Sequence, residues 1–461
     1  MNIENRIKRA LGFSEDYLYK KIRIGKKKVL LIYNEVLTST TLINDFILRE
    51  LININDISGL LDNVLPDNHI LKITETDIIR FLNNGFLILI SKEIFAIEVR
   101  EYLDTGVRVS NNELSIKGPK DSFNENYNTN LGLIRRRIKD KNLWCKTMYL
   151  GTRSNTKTGI LFIKDIVNIN LVKEIERLLH NINTDGIIDS SYLIKKLDSR
   201  NKTTFPTIIS TERPDKAAMA LLEGKIVIIV DTSPFALILP NFFIDYFKNT
   251  DDYYQKNVHV SFIRVIRVIA FYFTIFIPAF YIALTTHNQE LLPLNILLSL
   301  KMQRSLVPFS TITEAIFMSI CFEILKESDI RMSMTAGSSI SILGGLILGS
   351  AAVEAGIISP IMIIVIAISS ISGMVFSDVE LINATRTWRF IFLILSMFFG
   401  INGVFIASLL LLLRLITIKS FTMPYLYPFF PIGKNELLDS VIKTNNNDRS
   451  KVLTTNIKRG N

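Results

Sequence analysis

The apolar positions of this chain change character near residue 260. Ahead of that point charged side chains break up the apolar ones throughout, and beyond it they vanish over long stretches. From Phe390 to Leu413 no Asp, Glu, Lys or Arg occurs, a run longer than the roughly 20 residues a helix needs to cross a hydrocarbon core, and this is the firmest expected span. Val268 to Thr286 is a second uncharged run. It follows Arg264 and Arg267, extends an apolar pattern from Phe262, and reads as the first span. Between Met332 and Ser377 the only charge is Glu354, and Gly356 with Pro360 interrupts the middle, which predicts a hairpin of two spans. Helices of soluble proteins carry a polar stripe, which these segments lack, so four spans are expected. Ser233 to Phe247 is apolar and aromatic but broken by Pro234 and Pro240; too short to cross, it suits interfacial or re-entrant placement. Thr313 to Ile330 has helical periodicity with Glu314, Glu323, Lys326 and Glu327, suited to an interface or a cavity wall.

The first half predicts mixed elements. Helical patterns fall at Val36 to Leu51 and at Thr74 to Leu82, where Thr74 and Asp77 suit a capping box, followed by a hairpin of Phe86 to Ile90 and Ile94 to Arg100. Gly118 to Asn130 reads as a linker into a basic run with Arg135, Arg136 and Arg137 together. From Cys145 onward the order is strand (159–163), helix (171–182), helix (192–197), strand (207–210), short helix (216–222) and strand (226–230). The expected fold is an α+β cytoplasmic region of two subdomains, then an all-α polytopic membrane domain of about four spans plus interfacial or re-entrant helices. The corresponding segments are a basic N-terminal tail (1–28), subdomain 1 (29–118), a basic linker (119–144), subdomain 2 (145–240), the membrane domain (241–432) and a polar basic C-terminal tail (433–461).

Composition agrees with a membrane class. Of 461 residues 48% are hydrophobic and 21% charged, and the mean hydropathy of +0.30 is high for a soluble protein. Two cysteines, Cys145 and Cys321, and four scattered histidines, His69, His180, His259 and His287, supply neither a disulfide framework nor a metal cluster at ligand spacing. No metal or cofactor is expected. With no P-loop, no G-x-S-x-G and no nucleophile paired with a histidine, the chain does not read as an enzyme. The net charge is +10, and basic residues outnumber acidic ones after Leu413 but not between His287 and Arg331. That asymmetry, with a polar, lysine-rich start lacking an apolar signal-peptide core, predicts both termini in the cytoplasm. The arginine triplet fits a solvated helix face, a membrane-surface contact or nucleic acid, in that order.

Around a helix start, Glu212, Arg213, Pro214, Asp215 and Lys216 place four charges, with Pro214 in the first turn and Asp215 near the positive end of the helix dipole. The longer run Thr211 to Ala218, then Leu221 to Lys225 and Asp231-Thr232-Ser233-Pro234-Phe235, closely resembles the A subunits of bacterial spore germinant receptors, the GerA family. Ile116 to Pro119, Asn130 to Lys139, Asp251-Asp252-Tyr253-Tyr254, Tyr281 to His287 and Ala351 to Gly356 extend the resemblance from about residue 29 to 432. It departs at Arg331 to Ala336, where a proline-containing stretch is usual, and at Ser350, where Gln is common.

The resemblance implies a multipass protein of the spore inner membrane that works with a permease-like B subunit and a lipoprotein C subunit. It implies a homo-oligomer in membrane lipid that passes monovalent cations as a ligand-gated channel, with no nucleic acid partner. A paralogue beside the dipicolinate-release system and a secondary transporter are the alternatives. The nutrient is expected to be sensed by the permease-like partner and relayed through the cytoplasmic domain and the Pro234 to Pro240 segment, with Glu212 to Lys216 and Asp231 as signature residues. Gly337, Ser341, Gly345 and Gly349 recur every four residues, a stripe for close helix packing within the chain or between subunits. Glu354, on one helix face with Ser350 and Ala351, is either a pore or cavity carboxylate or a residue of the hairpin turn; with Glu314 or Glu323 it would make a cation-attracting ring.

Overall fold

The computed structural model describes residues 3–12, 14–24, 27–49, 70–101, 108–110, 113, 115–198, 203–331, 349–430, 440 and 443. The described residues of the segment 1–28, expected as a tail, are instead part of the first folded unit. Helix α1 (Ile3–Ala10) buries Ile7, and β1 (Tyr17–Ile24) pairs along its whole length with β2 (Lys27–Asn34). With β3 (Ile70–Lys72), β4 (Phe86–Ile90) and β5 (Ile94–Glu98) they form an antiparallel sheet in the order β1-β2-β4-β5-β3. The hairpin β4–β5 is the one its apolar runs predict. The short helices α2 (Thr40–Leu42), continued by a π turn, and α3 (Ile78–Leu82) belong to this unit, and the Thr74 hydroxyl donates to Asp77 in place of the expected backbone cap.

Two-residue strands β6 (Arg108–Val109) and β7 (Asp121–Ser122) lead into the second unit. Within the stretch read as a linker, α4 (Tyr127–Arg137) is a core helix: Asn126 caps it, and Leu131, Leu133 and Ile134 are buried. Two arginines of the triplet are engaged inside the chain. Arg135 is buried against Asp16 (2.8 Å), tying α4 to the first unit, and Arg137 pairs with Asp121.

The second sheet consists of β8 (Leu143–Leu150), β9 (Thr156–Ile163), β10 (Ile209–Thr211), β11 (Ile226–Val230) and β12 (Ala236–Leu239), all antiparallel, in the order β10-β12-β11-β9-β8. Helices α5 (Ile169–His180), α6 (Ser190–Asp198) and α7 (Pro214–Leu222) pack on it. Phe243 to Phe247 form a short helical turn packed with Phe271 and Phe376, and the interfacial or re-entrant placement of Ser233 to Phe247 is corrected at residues 236–239. Ala236 and Ile238 face one core while Leu237 and Leu239 face the other, so this run is apolar because an interior strand is buried on both faces.

The remainder is helical: α8 (Asn257–Ile282, extended by a π turn to His287), α9 (Leu294–Arg304), α10 (Thr311–Arg331), residues 349–354, α11 (Pro360–Gly373) and α12 (Val379–Thr417). Where four spans were expected, two of the described segments, 257–287 and 379–417, are long and apolar enough to cross a membrane. Their outward faces are apolar too, with Phe262, Tyr272, Phe280, Phe398, Phe405 and Leu412 exposed, which suits lipid and not water.

The run expected as one crossing, Phe390 to Leu413, does not run straight. At Gly400 the backbone takes φ 59° and ψ −136°, and a Cβ on Gly403 would lie 2.0 Å from the Leu395 carbonyl, a contact that eight residues of continuous helix would hold roughly 12 Å apart. Residues 379–399 and 401–417 are thus two antiparallel legs. The turn is fastened to the end of α8 by Asn288, whose side-chain oxygen accepts from Ile401 N–H at 3.0 Å. The opposite end reaches the second sheet: the Trp388 indole donates to the Thr204 hydroxyl, and Ser420 bridges Thr207 and Asn241.

Candidate functional site

The two halves of the chain meet at a buried charged junction. Arg213 precedes α7, and Pro214 takes its first turn, where the missing N–H costs nothing. From there Arg213 grips Asp215 with two hydrogen bonds (3.0 and 2.7 Å) and Asp251 with a third (2.9 Å). Asp215 also accepts from the Tyr254 hydroxyl, and Asp251 from the backbone N–H of Ile116 at 2.8 Å. All three charged side chains are buried.

Asp252, the next residue, turns the other way. Its carboxylate accepts from Arg264 (3.0 Å) and from both terminal nitrogens of Arg267 (2.8 and 3.0 Å) on the first turns of α8. Two adjacent carboxylates in the turn Thr250–Tyr254 therefore face opposite ways, one clasping the second folded unit and the other the long apolar helix. A residue from the far end of the chain joins them: Lys443 donates to the Asp252 carbonyl at 2.8 Å and stacks over the Tyr253 ring. Burial alone would raise the Asp215 carboxyl, but the Arg213 hydrogen bonds and charge outweigh it and hold it below the ordinary range.

The other signature residues have partners of their own. Glu212 accepts from Ser110, Lys216 pairs with Glu113 at 2.8 Å, and Asp231 accepts from the Tyr127 N–H. Pro234 and Pro240 bracket β12. The sequence reading singled out the Arg213 side of the junction and not the Arg264 side. The signal was present: an Asp-Asp pair directly before the first apolar helix, and two arginines three apart on one face of it.

The structure separates the three carboxylates considered together for a ring. Glu354 is exposed at the end of the helical turn before Gly356, whose φ of +64° reverses the chain ahead of Pro360. Glu323 pairs within the chain with Arg386 and Arg389. Glu314 is fully buried and accepts from the N–H and the hydroxyl of Ser359, both at 2.9 Å. Ser350 is exposed beside Gly349, which faces Ile363 of α11; Gly337, Ser341 and Gly345 lie outside the described residues.

A family model, Bacillus/Clostridium GerA spore germination protein, matches residues 5–452. The chain belongs to the GerA family. Among relatives of this GerA chain, Spore germination protein KA of Bacillus subtilis (strain 168) is 32% identical over 449 residues, 95% of this chain and 82% of that one. Spore germination protein GerQA of Bacillus cereus is 36% identical over 389 residues, 84% of this chain and 75% of that one. Among solved structures, the N-terminal domain of the A subunit of the Bacillus megaterium spore germinant receptor GerK3 is 28% identical, with a TM-score of 0.40, covering 52% of this chain and 94% of that one.

Proposed function

We propose that this GerA-family chain is the A subunit of a nutrient-responsive germination receptor in the spore inner membrane, transducing germinant binding into release of monovalent cations as an oligomeric ligand-gated channel. A permease-like B subunit and a lipoprotein C subunit complete the receptor, and both termini of this chain lie in the cytoplasm. The observation that carries the reading is the back-to-back clasp of Asp251 and Asp252. A transducer needs a stiff connection between the part that receives a signal and the part that moves in the membrane. Here a buried ion network joins the soluble unit to the base of α8 with no flexible linker between them.

In this reading the nutrient binds the permease-like partner, the soluble unit is displaced, and the clasp passes that displacement to α8 and to the hairpin packed on it. Glu354, exposed at a turn, is the carboxylate free to form a ring when subunits assemble, since Glu314 and Glu323 are engaged inside the chain. The break at Gly400 also suits a secondary transporter; saturable uptake without ionic current would favour that alternative.

The test is made in spores. Asp252→Asn keeps the size of the side chain and removes the charge shared by Arg264 and Arg267. When parental and variant spores receive the same nutrient mixture, the variant receptor should reach the membrane at the parental level yet release potassium at least about ten-fold more slowly. Unchanged release at equal protein level would overturn the transducer reading.

A further inference from the structure

Three cations share one carboxylate where α10, α11 and α12 meet. Glu323 on α10 pairs with Arg386 at 2.7 Å and with Arg389, both on the first leg of α12, and Lys326 stands one turn further along the same face of α10. Arg389 is buried, and its Nε has no hydrogen-bond partner among the described residues. Lys326 reaches the Ser370 carbonyl of α11 only at 3.4 Å, longer than an ordinary N–H···O bond, and its other N–H groups find no acceptor among the described residues. The next acid on α10, Glu327, is one position on and so lies about 100° round the helix. Two positive charges are therefore left unbalanced in the apolar half of the chain. Lys326 and Arg386 are only partly buried, so the group opens to the outside.

The surroundings say what would balance it. Trp388, between the two arginines, donates to Thr204 of the second folded unit, so the cations lie at the level where the helices leave that unit, the depth of a headgroup layer. From there α10 and α11 run side by side, Lys326 meeting Ser370 at this end and Glu314 meeting Ser359 at the other. Ile320 and Ile324 of α10 and Ile364, Ile368 and Ile371 of α11 are exposed along the pair, an apolar track leading away from the cations. A cationic end on an apolar track is the complement of a phospholipid, whose phosphate oxygens suit a guanidinium fork and an ammonium while its acyl chains cover the isoleucines. Basic groups between helices on the inner side of a membrane are a recurring place for anionic headgroups. A free anion would satisfy the charges and leave the track uncovered.

We propose that Lys326 and Arg386 form a site for an anionic phospholipid of the leaflet facing the second folded unit, with the phosphate between the two side chains and the acyl chains along α10 and α11. The site rests on the helical half being embedded in lipid and not on its conducting ions. The test is native mass spectrometry of the full chain in detergent, offered phosphatidylglycerol and phosphatidylcholine with the same acyl chains. The wild-type chain should retain phosphatidylglycerol at least ten-fold more readily than phosphatidylcholine, and excess inorganic phosphate should not displace it. Lys326→Gln, which breaks no ion pair, should hold one phosphatidylglycerol fewer, while Lys301→Gln, a cation exposed on α9, should hold as many as the wild type. Equal retention of the two lipids by the wild-type chain, displacement by phosphate, or an unchanged count in folded Lys326→Gln protein would each overturn the site. The wild-type comparison decides even where a variant fails to fold. A chain that needs detergent yet ignores lipid charge would refute the site alone, whereas a chain dispersed without detergent would refute the membrane reading beneath it.

Discussion

Arg213 has an ordinary place before a helix and an unusual set of partners. Its guanidinium serves two carboxylates from separate segments, so a change to Met would leave Asp215 and Asp251 facing each other in a buried site without their cation. Breaking a buried pair from one side costs about 3–5 kcal/mol. Arg213→Met should lower the melting temperature followed by far-UV circular dichroism, and by more than Asp252→Asn does, because Arg264 and Arg267 retain other acceptors. The acid response follows from Asp215. A carboxyl whose folded pKa is depressed contributes stability that is present above its unfolded value of about 3.9 and is lost as pH falls through the folded value. Melting temperatures measured from pH 6 to pH 3 should therefore be nearly level at first and fall below about pH 4. In Arg213→Met that fall should be shallower. The sequence showed these charges and the helix they begin, but not their partners. Ile116, Asp251 and Tyr254 are distant along the chain, and only the tertiary fold brings their donors and acceptors together.

Among the elements, those with strong local signals were legible. The β4–β5 hairpin and the helices α5, α6 and α7 form where periodicity and turn residues place them. The misread elements share one physical cause: an apolar run does not reveal which apolar environment receives it. Ala236 to Leu239 resembled a membrane-interface segment because a strand buried on both faces has no alternation to display. Leu237→Ala should thus destabilise the second folded unit by about 2–5 kcal/mol, as a core truncation does, measured by urea unfolding of the detergent-solubilised chain. A lipid-facing or interfacial residue would show almost no change. Likewise Phe390 to Leu413 has the composition of one span, and its single break rests on Gly400 in a conformation that L side chains avoid. A Cβ there would sit 2.5 Å from the Asn288 side-chain oxygen and 2.7 Å from His287. Gly400→Ala should reduce the yield of folded, membrane-extracted protein, and Gly403→Leu more so, since its Cβ would overlap the backbone of the opposite leg. Equal yields and melting temperatures in all three proteins would show that the legs do not fold back on one another.

For the molecule as a whole, the division into a charged front half and an apolar rear half was legible from charge spacing alone, and the order of motifs carried the family resemblance. The meeting of the two halves was not, because it depends on long-range pairings: Trp388 with Thr204, Ser420 with Thr207, and Lys443 with the base of α8. These contacts join the sheets of the first half to the helical half, the connection that the proposed transducer requires. The most direct measurement is potassium efflux from proteoliposomes containing the purified chain with the proposed permease-like and lipoprotein partners. It would be triggered by a nutrient mixture that germinates the parental spores, with chloride followed in parallel. The account predicts prompt potassium efflux that outpaces chloride, requires this chain, and weakens in Glu354→Gln. A reconstituted receptor that binds nutrient yet releases no potassium, or releases it equally without this chain, would contradict it.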